Sequence, residues 1–200
     1  MADIQSAPQL RDIQHAAARI ARYAHVTPVL RSASLDALAG CALFFKCENL
    51  QRVGAFKFRG ACNAVVSLSD AEAARGVLTQ SSGNHGAAVA LACRLRGIRA
   101  RVVVPRSAPA VKLAAIREFG AEIIPSGVTQ AERDAVMSEV LAQTEAAVIH
   151  PFNDARVIAG QGTATLELLR EAEAIDSVMA PVSGGGLLSG TAIAAHALNP

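Results

Sequence analysis

Short apolar runs rich in β-branched residues alternate with helical patterns through the middle of the chain. The runs lie at positions 77–79, 101–104, 121–124 and 146–149. Runs of this length are typical of strands that are buried on both faces of a parallel sheet, and the helical segments between them supply the crossover connections. The sequence therefore predicts an α/β fold in which helices cover a parallel sheet.

Two of the predicted helices begin with the spacing of a capping box. Ser69 stands three residues before Glu72, and Thr129 stands three residues before Glu132. At this spacing the hydroxyl accepts a hydrogen bond from the backbone of the third helical residue, and the carboxylate accepts one from the backbone of the cap. We expect helices to start at both places.

Composition favours a globular domain and excludes several classes of protein. Of the 200 residues, 52% are hydrophobic and 18% are charged, so the chain can bury a substantial core. Gly, Pro or charged residues interrupt every apolar run before it reaches the roughly 18 residues of a membrane span. A net charge of +2 with mixed signs and an aromatic content of 4% form no basic stripe. We expect neither a nucleic-acid partner nor a membrane partner.

The cysteines and histidines lack the spacing of disulfide frameworks and metal sites. The 4 cysteines form no C-x-x-C pair, and no signal peptide precedes them. This pattern favours reduced thiols in a cytoplasmic protein. The 5 histidines are scattered along the chain, so no metal site is predicted.

Lys57 has an unusual local environment, because it lies between Phe56 and Phe58 in a segment bounded by glycines at 54 and 60. At least one aromatic ring should lie beside the amine and reduce its hydration. A desolvated lysine loses its proton more easily and becomes a nucleophile, which suits the formation of a Schiff base. The alternative is an ordinary solvated surface lysine.

A second segment, Ser-Ser-Gly-Asn-His-Gly at positions 81–86, follows the first apolar run and precedes a helical pattern. Free backbone N–H groups and the positive end of the helix dipole gather at such a junction, which suits a carboxylate or a phosphate. The same residues would also form an ordinary capped turn without a ligand. Both interpretations stay open at this point.

A third segment, Ser-Gly-Gly-Gly-Leu at positions 183–187, follows the apolar run at 178–182 and is predicted to be a strand-to-helix turn. Three consecutive glycines lack Cβ atoms, so the backbone can close around an anion with its N–H groups pointing inward. The spacing matches neither the dinucleotide fingerprint nor the P-loop. It favours a phosphate cradle, with a purely structural turn as the alternative.

Together, the three segments resemble those of the fold-type II pyridoxal-phosphate enzymes, and within them the serine/threonine dehydratase and serine racemase group. The resemblance runs over nearly the whole chain and includes the segments at 27–30, 46–51 and 150–154. Two positions depart from the family pattern. Ala55 stands where many members have Ser or Thr, and Ser183 stands where many have a fourth glycine.

The resemblance implies two parallel-sheet αβα domains of the tryptophan synthase β-like architecture. Residues 76–150 would form the small, mobile domain, and residues 1–69 and 153–200 the large domain that binds the cofactor. The family's large domain extends beyond a chain of this length, so we expect its C-terminal part to be absent. The cofactor would lie in the cleft between the domains.

The resemblance also assigns roles at the site. The cofactor would be pyridoxal 5'-phosphate bound covalently by Lys57, with Phe56 in the same motif and Asn84 on the ring hydroxyl. The phosphate would be held by Ser183, Gly184, Gly185, Gly186 and Leu187. The substrate-binding loop would consist of Ser81, Ser82, Gly83, Asn84 and His85.

The implied reaction is the dehydration and deamination of a β-hydroxy amino acid such as L-serine, L-threonine or 3-hydroxyaspartate. Lys57 would act as the base, and the products would be a 2-oxo acid and ammonia. Ser82 matches the second base of a racemase, whereas in a dehydratase its hydroxyl would cap the helix. His85 and His150 are interpreted as packing or loop residues.

Two alternative functions stay open beside this reaction. One is an amino-acid racemase of the same family, and the other is a truncated, non-catalytic ligand-binding protein. We expect a small amino-acid substrate and a homodimer of the full-length protein.

Overall fold

A computed structural model of the protein describes residues 7–172 and 174–199. This part of the chain contains helices α1 to α9 and strands β1 to β6, with two short 3-10 turns before α3. The helices are α1 Leu10–Ile20, α2 Ala33–Ala39, α3 Lys57–Val66, α4 Asp70–Arg75, α5 Asn84–Arg96, α6 Ala110–Glu118, α7 Gln130–Thr144, α8 Ala155–Glu171 and α9 Gly186–Leu198. The strands are β1 Val29–Leu30, β2 Phe45–Lys46, β3 Val77–Gln80, β4 Ala100–Pro105, β5 Glu122–Ser126 and β6 Ala147–Val148.

The four central strands form a parallel sheet in the order β5-β4-β3-β6. Val77 and Val102 face α3 and α5, whereas Leu78 and Val103 face the apolar side of α7. Because helices cover both faces, successive strand residues are buried whichever way they point. The α/β fold with a parallel sheet and its four predicted strands is therefore confirmed.

Both predicted capping boxes are present. The Ser69 hydroxyl accepts from the Glu72 backbone at 3.3 Å, and the Glu72 carboxylate accepts from the Ser69 backbone at 2.7 Å. Thr129 and Glu132 form the equivalent pair at 3.3 and 2.8 Å. These bonds satisfy N–H groups that have no partner within the helix, and they begin α4 and α7 at the predicted places.

Helices α3 and α8 are in backbone contact, which places the start of α3 beside the start of α8. A side chain at Gly160 would begin 2.6 Å from the Gly60 Cα, so only glycines allow this approach. The Gly60 N–H donates to the Gln161 side chain at 3.1 Å across the same contact. Helices α1 and α9 pack against the far side of α8 around a smaller core of Ile13, Ala16, Ala159, Leu166 and Ala194.

The apolar run at 178–182 is not a strand, so the predicted strand-to-helix turn is wrong in its first half. A strand needs a neighbour to pair its backbone groups, and no strand of residues 7–172 and 174–199 pairs with this run. Met179 and Val182 are accordingly 87% and 62% exposed. Outside the four-stranded sheet, the described sheet structure is the antiparallel pair β1-β2.

Neither a membrane-spanning helix nor a metal cluster is found in the described ranges. None of their helices has the length and apolarity needed to cross a membrane. No group of three or more His, Cys, Asp or Glu side chains in these ranges is placed to hold a metal ion.

Candidate active site

Lys57 is the first residue of α3, and its Nζ donates a hydrogen bond to the Pro151 carbonyl oxygen at 2.9 Å. The same nitrogen lies 5.3 Å from the centroid of the Phe56 ring, so the expected aromatic neighbour is present. Burial lowers the pKa of Lys57 below its ordinary value, because partial loss of hydration disfavours the ammonium. No carboxylate of the described chain is paired with this amine, so no ion pair opposes the effect of burial.

Pro151 belongs to the segment between β6 and α8, residues 149–153, which we call the 149–153 loop. Its first residue is fixed to the end of the sheet, because the Ile149 N–H donates to the Leu78 carbonyl at 3.0 Å. The Thr79 hydroxyl donates to the Ile149 carbonyl at 2.7 Å. The loop therefore starts beside β3, to which its first residue is hydrogen-bonded, and it carries the acceptor for Lys57.

His85 connects the segment at 81–86 to the same loop. Its Nε2 lies 3.4 Å from the Ile149 carbonyl oxygen, and a carbonyl only accepts, so Nε2 carries the proton. Nδ1 is then a buried acceptor without a partner in the described chain. Burial, and after it the charge of Lys57, lowers the pKa of His85 to about 3. His85 is therefore neutral near pH 7.

The glycine segment reaches the 149–153 loop through Phe152. A Cβ on Gly184 would lie 2.1 Å from the Phe152 Cδ1, and a Cβ on Gly186 would lie 3.0 Å from the Phe152 Cα. These two glycines lie so close to Phe152 that neither accepts a side chain without movement. The 149–153 loop thus contacts all three segments that the sequence singled out, and sequence reasoning had not placed Pro151 or Phe152 in the site.

Local geometry explains how the segment at 81–86 makes its turn. The Ser81 hydroxyl accepts from the Gly83 N–H at 3.2 Å, and Gly83 is the N-cap of α5 without a side-chain cap. A Cβ on Gly86 would lie 2.4 Å from the Ser81 carbonyl oxygen. Among the described residues, no hydrogen bond involves the half-buried Ser82 hydroxyl. The prediction that Ser82 caps the helix is wrong, because Ser81 makes the hydrogen bond of this turn.

Asn84 occupies the first position of α5 and is exposed, whereas His85 follows it into the interior. The structure therefore gathers the five predicted substrate-loop residues at one helix start. The first backbone N–H groups of a helix have no acceptor within it. An anionic group could bind to them there.

The glycine segment ends at a second helix start. Gly185 is the N-cap of α9, with a φ of 89° that favours glycine, and its carbonyl accepts from the Ser189 N–H at 2.9 Å. Ser183 and Gly184 are exposed just before it, and Leu187 follows half-buried in the first turn. The N–H groups of this turn and the helix dipole suit a phosphate.

Sequence reasoning missed Arg59, which is fully buried two residues after Lys57. Its guanidinium binds Glu48 through two hydrogen bonds of 2.7 Å and Glu167 through bonds of 2.7 and 2.8 Å. Burial alone would lower the pKa of Arg59, but the hydrogen bonds to the two carboxylates raise it above its ordinary value. This network ties the start of α3 to a 3-10 turn and to α8, and so fixes the base of Lys57.

Two surface cavities, of about 490 and 510 Å³, lie elsewhere on the molecule. The first is lined by polar residues of α1, α3 and α8, and the second by residues of β4, β5 and α6. Neither includes Lys57 or a residue of the glycine segment. We place the candidate site at the 149–153 loop instead, because that loop joins the reactive amine to both helix starts.

The residues at this loop fit pyridoxal phosphate. The cofactor needs an amine that can lose its proton, and the Nζ of Lys57 is half-buried against a neutral carbonyl. It also needs a cradle for its phosphate, and the segment at 183–187 supplies a glycine-rich helix start. Both lie against the same short loop.

Comparison with known proteins identifies the family. Residues 20–200 match the family described as pyridoxal-phosphate dependent enzyme. Serine racemase from Oryza sativa subsp. indica is 53% identical over 194 residues, which are 97% of this chain and 57% of that protein. The beta-hydroxyaspartate dehydratase of Paracoccus denitrificans is 45% identical over 193 residues, 96% of this chain and 61% of that protein.

A solved structure agrees with this assignment. The threonine deaminase of T.th. superimposes with a TM-score of 0.88 at 46% identity, covering 96% of this chain and 62% of that one. The chain belongs to the pyridoxal-phosphate dependent enzymes of fold type II, and the cofactor of this family is pyridoxal phosphate. The chain spans 57% to 62% of the length of these three proteins.

Proposed function

We propose that this chain carries the lysine-bearing part of an ammonia-lyase that acts on a β-hydroxy amino acid such as L-serine, L-threonine or 3-hydroxyaspartate. One observation carries the choice of elimination. Lys57 has an amine whose pKa is lowered by burial, whereas no described group is placed to take a proton from the Ser82 hydroxyl. Elimination needs one base at Cα, and racemisation needs a second on the opposite face.

In this proposal each segment has a separate task. Lys57 would hold the cofactor through Nζ and, with Nζ free, would take the proton from the substrate Cα. Backbone N–H groups of residues 81–85 bind the substrate carboxylate, and Asn84 binds the ring hydroxyl. Backbone N–H groups of residues 183–187 bind the phosphate. Pyridoxal phosphate, when bound, supplies the conjugated ring that stabilises the negative charge left at Cα.

The products follow from the leaving group. Lys57 takes the Cα proton and returns it to the β-hydroxyl, which leaves as water, so the enamine that remains is the substrate less one water. Hydrolysis of this enamine consumes one water and releases a 2-oxo acid and ammonia. No oxidant or reductant is needed.

Racemisation is the second candidate, and sequence identity favours it. The rice serine racemase is 53% identical to this chain, compared with 45% for the hydroxyaspartate dehydratase. In a racemase, Ser82 would exchange a proton with Cα from the face opposite Lys57. A non-catalytic ligand-binding protein is the third candidate, because the chain spans only part of the length of its relatives.

The experiment that tests the reaction follows two products from each substrate. The protein with pyridoxal phosphate is incubated with L-serine, L-threonine and 3-hydroxyaspartate, and both 2-oxo acid and the opposite enantiomer are measured. We expect 2-oxo acid to dominate and Ser82→Ala to retain it, with Ser138→Ala on the exposed side of α7 as the control. Enantiomer formation that Ser82→Ala abolishes would establish the racemase instead. Cofactor binding without either product would support the non-catalytic candidate.

We also propose how the whole protein is organised. Strands β3 to β6 form one sheet, and α5 and α7, both within residues 76–150, cover its two faces, with α3 packed on the side of α5. This arrangement supports residues 76–150 as the small, mobile domain. Residues 1–69 and 153–200 would belong to the large domain. The full-length protein would be a cytoplasmic homodimer with a small amino-acid substrate.

A further inference from the structure

His150 folds the 149–153 loop through a single ring nitrogen. Its Nδ1 accepts hydrogen bonds from the backbone N–H of Asn153 at 2.8 Å and of Phe152 at 3.3 Å. A ring nitrogen that accepts cannot carry a proton, so these two bonds require a neutral imidazole with its proton on Nε2. The loop geometry therefore depends on one protonation state of His150.

Protonation would reverse the role of this nitrogen. The imidazolium carries N–H groups at both positions, and the new Nδ1–H would face the N–H groups of Phe152 and Asn153. Both hydrogen bonds would be lost at once. Pro151, the acceptor for Lys57, lies between His150 and Phe152, and Phe152 packs on the glycine segment. Refolding of the loop would therefore move contacts of both the amine and the glycine segment.

We propose that His150 is a positioning residue that keeps the 149–153 loop in its site-forming geometry only while its imidazole is neutral, so that acidification unlocks the candidate site. The statement about the loop stands on the hydrogen bonds of His150 alone. The statement about the site rests on the proposed function, because it takes Lys57 and the glycine segment as the cofactor-binding groups.

The titratable groups around His150 come from the starts of three helices. Burial is the largest influence and lowers the pKa of His150, Asp154 at the start of α8 raises it, and Lys57 at the start of α3 lowers it. His85 of α5 is also close enough to interact with His150. The Asp154 carboxylate is held by Arg156 at 2.8 Å and by the first backbone N–H groups of α8. These contacts weaken its attraction to an imidazolium at position 150.

Two features separate His150 from His85 as the switching group. His85 binds the loop through a donor, Nε2–H, which protonation preserves. His150 binds the loop through an acceptor, which protonation removes. The His150 ring also stacks edge-on against Phe152, with centroids 4.5 Å apart at 85°. Phe152 is thus connected to His150 by both its backbone and its ring.

The test compares two substitutions that differ only in the acceptor. Asn at position 150 offers an amide oxygen to the backbone N–H groups two and three residues on, as in an Asx turn, and does not titrate. Ala offers no acceptor. Amide hydrogen exchange of Phe152 and Asn153 is measured from pH 8 to pH 5 on the 200-residue chain without cofactor, with correction for the intrinsic pH dependence.

For the wild type we expect the protection of these two amides to decrease once the pH is below the pKa of His150, by up to about tenfold per pH unit. His150→Asn should keep its protection across the range, and His150→Ala should lack it throughout. Protection in the wild type that does not change with pH would overturn the inference, and this measurement needs no variant. Protection in His150→Ala equal to that of the wild type would overturn it as well.

A second experiment, on cofactor binding, separates this inference from the proposed function. Binding of pyridoxal phosphate is measured over the same pH range for the wild type and His150→Asn. We expect the wild type to lose affinity in acid in parallel with amide protection, and the variant to lose less. If amide protection switches but the cofactor does not bind at any pH, the proposed function fails while the loop inference stands. If the cofactor binds equally well across the range, the link between loop and site is wrong.

Discussion

Burial drives both Lys57 and His85 toward their uncharged forms. The pKa of Lys57 is lowered by loss of hydration. That of His85 is lowered to about 3 by burial and by the nearby charge of Lys57. The amine is the reactive partner of the two, because the imidazole uses its one N–H in a hydrogen bond to the Ile149 carbonyl. The reactivity predicted for Lys57 therefore has a physical cause in the fold.

His85 should make folding stability depend on pH. An unfolded histidine binds a proton below its ordinary pKa of 6.5, whereas folded His85 stays neutral down to about 3, so stability is full above 6.5 and is lost as the pH falls through that window. His85→Gln keeps an N–H donor for Ile149 but does not titrate. Between pH 7 and pH 4 we expect the wild type to lose about 3 kcal/mol of unfolding free energy relative to this variant. Urea denaturation at both pH values measures the difference, and parallel pH profiles of the two proteins would contradict the burial of a neutral His85.

Helix α3 begins at Lys57 without a capping side chain, so its position depends on tertiary contacts. Arg59 supplies them through Glu48 and Glu167. The backbone contact of Gly60 with α8 adds a second constraint. At this scale the sequence predicted α4 and α7 well, because their caps are local, but it did not predict the anchor of α3, because a buried arginine is rare and its partners are distant in the chain.

Arg59→Met should destabilise the protein by about 3–5 kcal/mol, because it leaves the half-buried Glu48 without a cation and Glu167 with Lys46 alone. Arg59→Lys should also be destabilising, because an ammonium cannot reproduce the forked hydrogen bonds. Chemical denaturation measures both. The triple variant Arg59→Met, Glu48→Gln, Glu167→Gln removes the stranded charges and should recover part of the loss. If Arg59→Met alone had the same free energy of unfolding as the wild type, the network would not be the anchor of α3.

The glycine segment and Phe152 should be energetically coupled. In Gly184→Ala the new methyl group would overlap the Phe152 ring, whereas in Phe152→Ala the ring is gone. A double-mutant cycle should therefore show a coupling of about 1 kcal/mol or more, with Gly184→Ala better tolerated in the Phe152→Ala background. Gly83→Ala, at a glycine whose Cβ would meet no atom within 4 Å, is the control and should show no coupling to Phe152. Additive effects of Gly184→Ala and Phe152→Ala would mean that the two segments do not pack as described.

At the scale of the molecule, residues far apart in the chain meet on the short 149–153 loop. The sequence predicted the parallel sheet and the two helix starts, since these follow from apolar runs and glycine placement. It did not predict the junction. The segment at 150–154 was noted as part of the family resemblance, but residue types do not show that Pro151 contributes a backbone carbonyl and Phe152 a packing surface. The run at 178–182 was predicted as a strand, but a strand depends on a pairing neighbour that its own residues do not specify.

The central claim, that Lys57 holds the cofactor, is tested most directly by locating the attachment site. The chain contains lysines at positions 46, 57 and 112. The protein is incubated with pyridoxal phosphate, reduced with borohydride and digested, and the peptide that carries the added mass is identified. Lys46 serves as an internal control, because its ammonium is held by Glu167 at 2.8 Å and by the Thr27 carbonyl at 2.6 Å. We predict a label on Lys57 that Lys57→Arg abolishes, whereas labelling spread evenly over the three lysines, or unchanged in Lys57→Arg, would contradict the account.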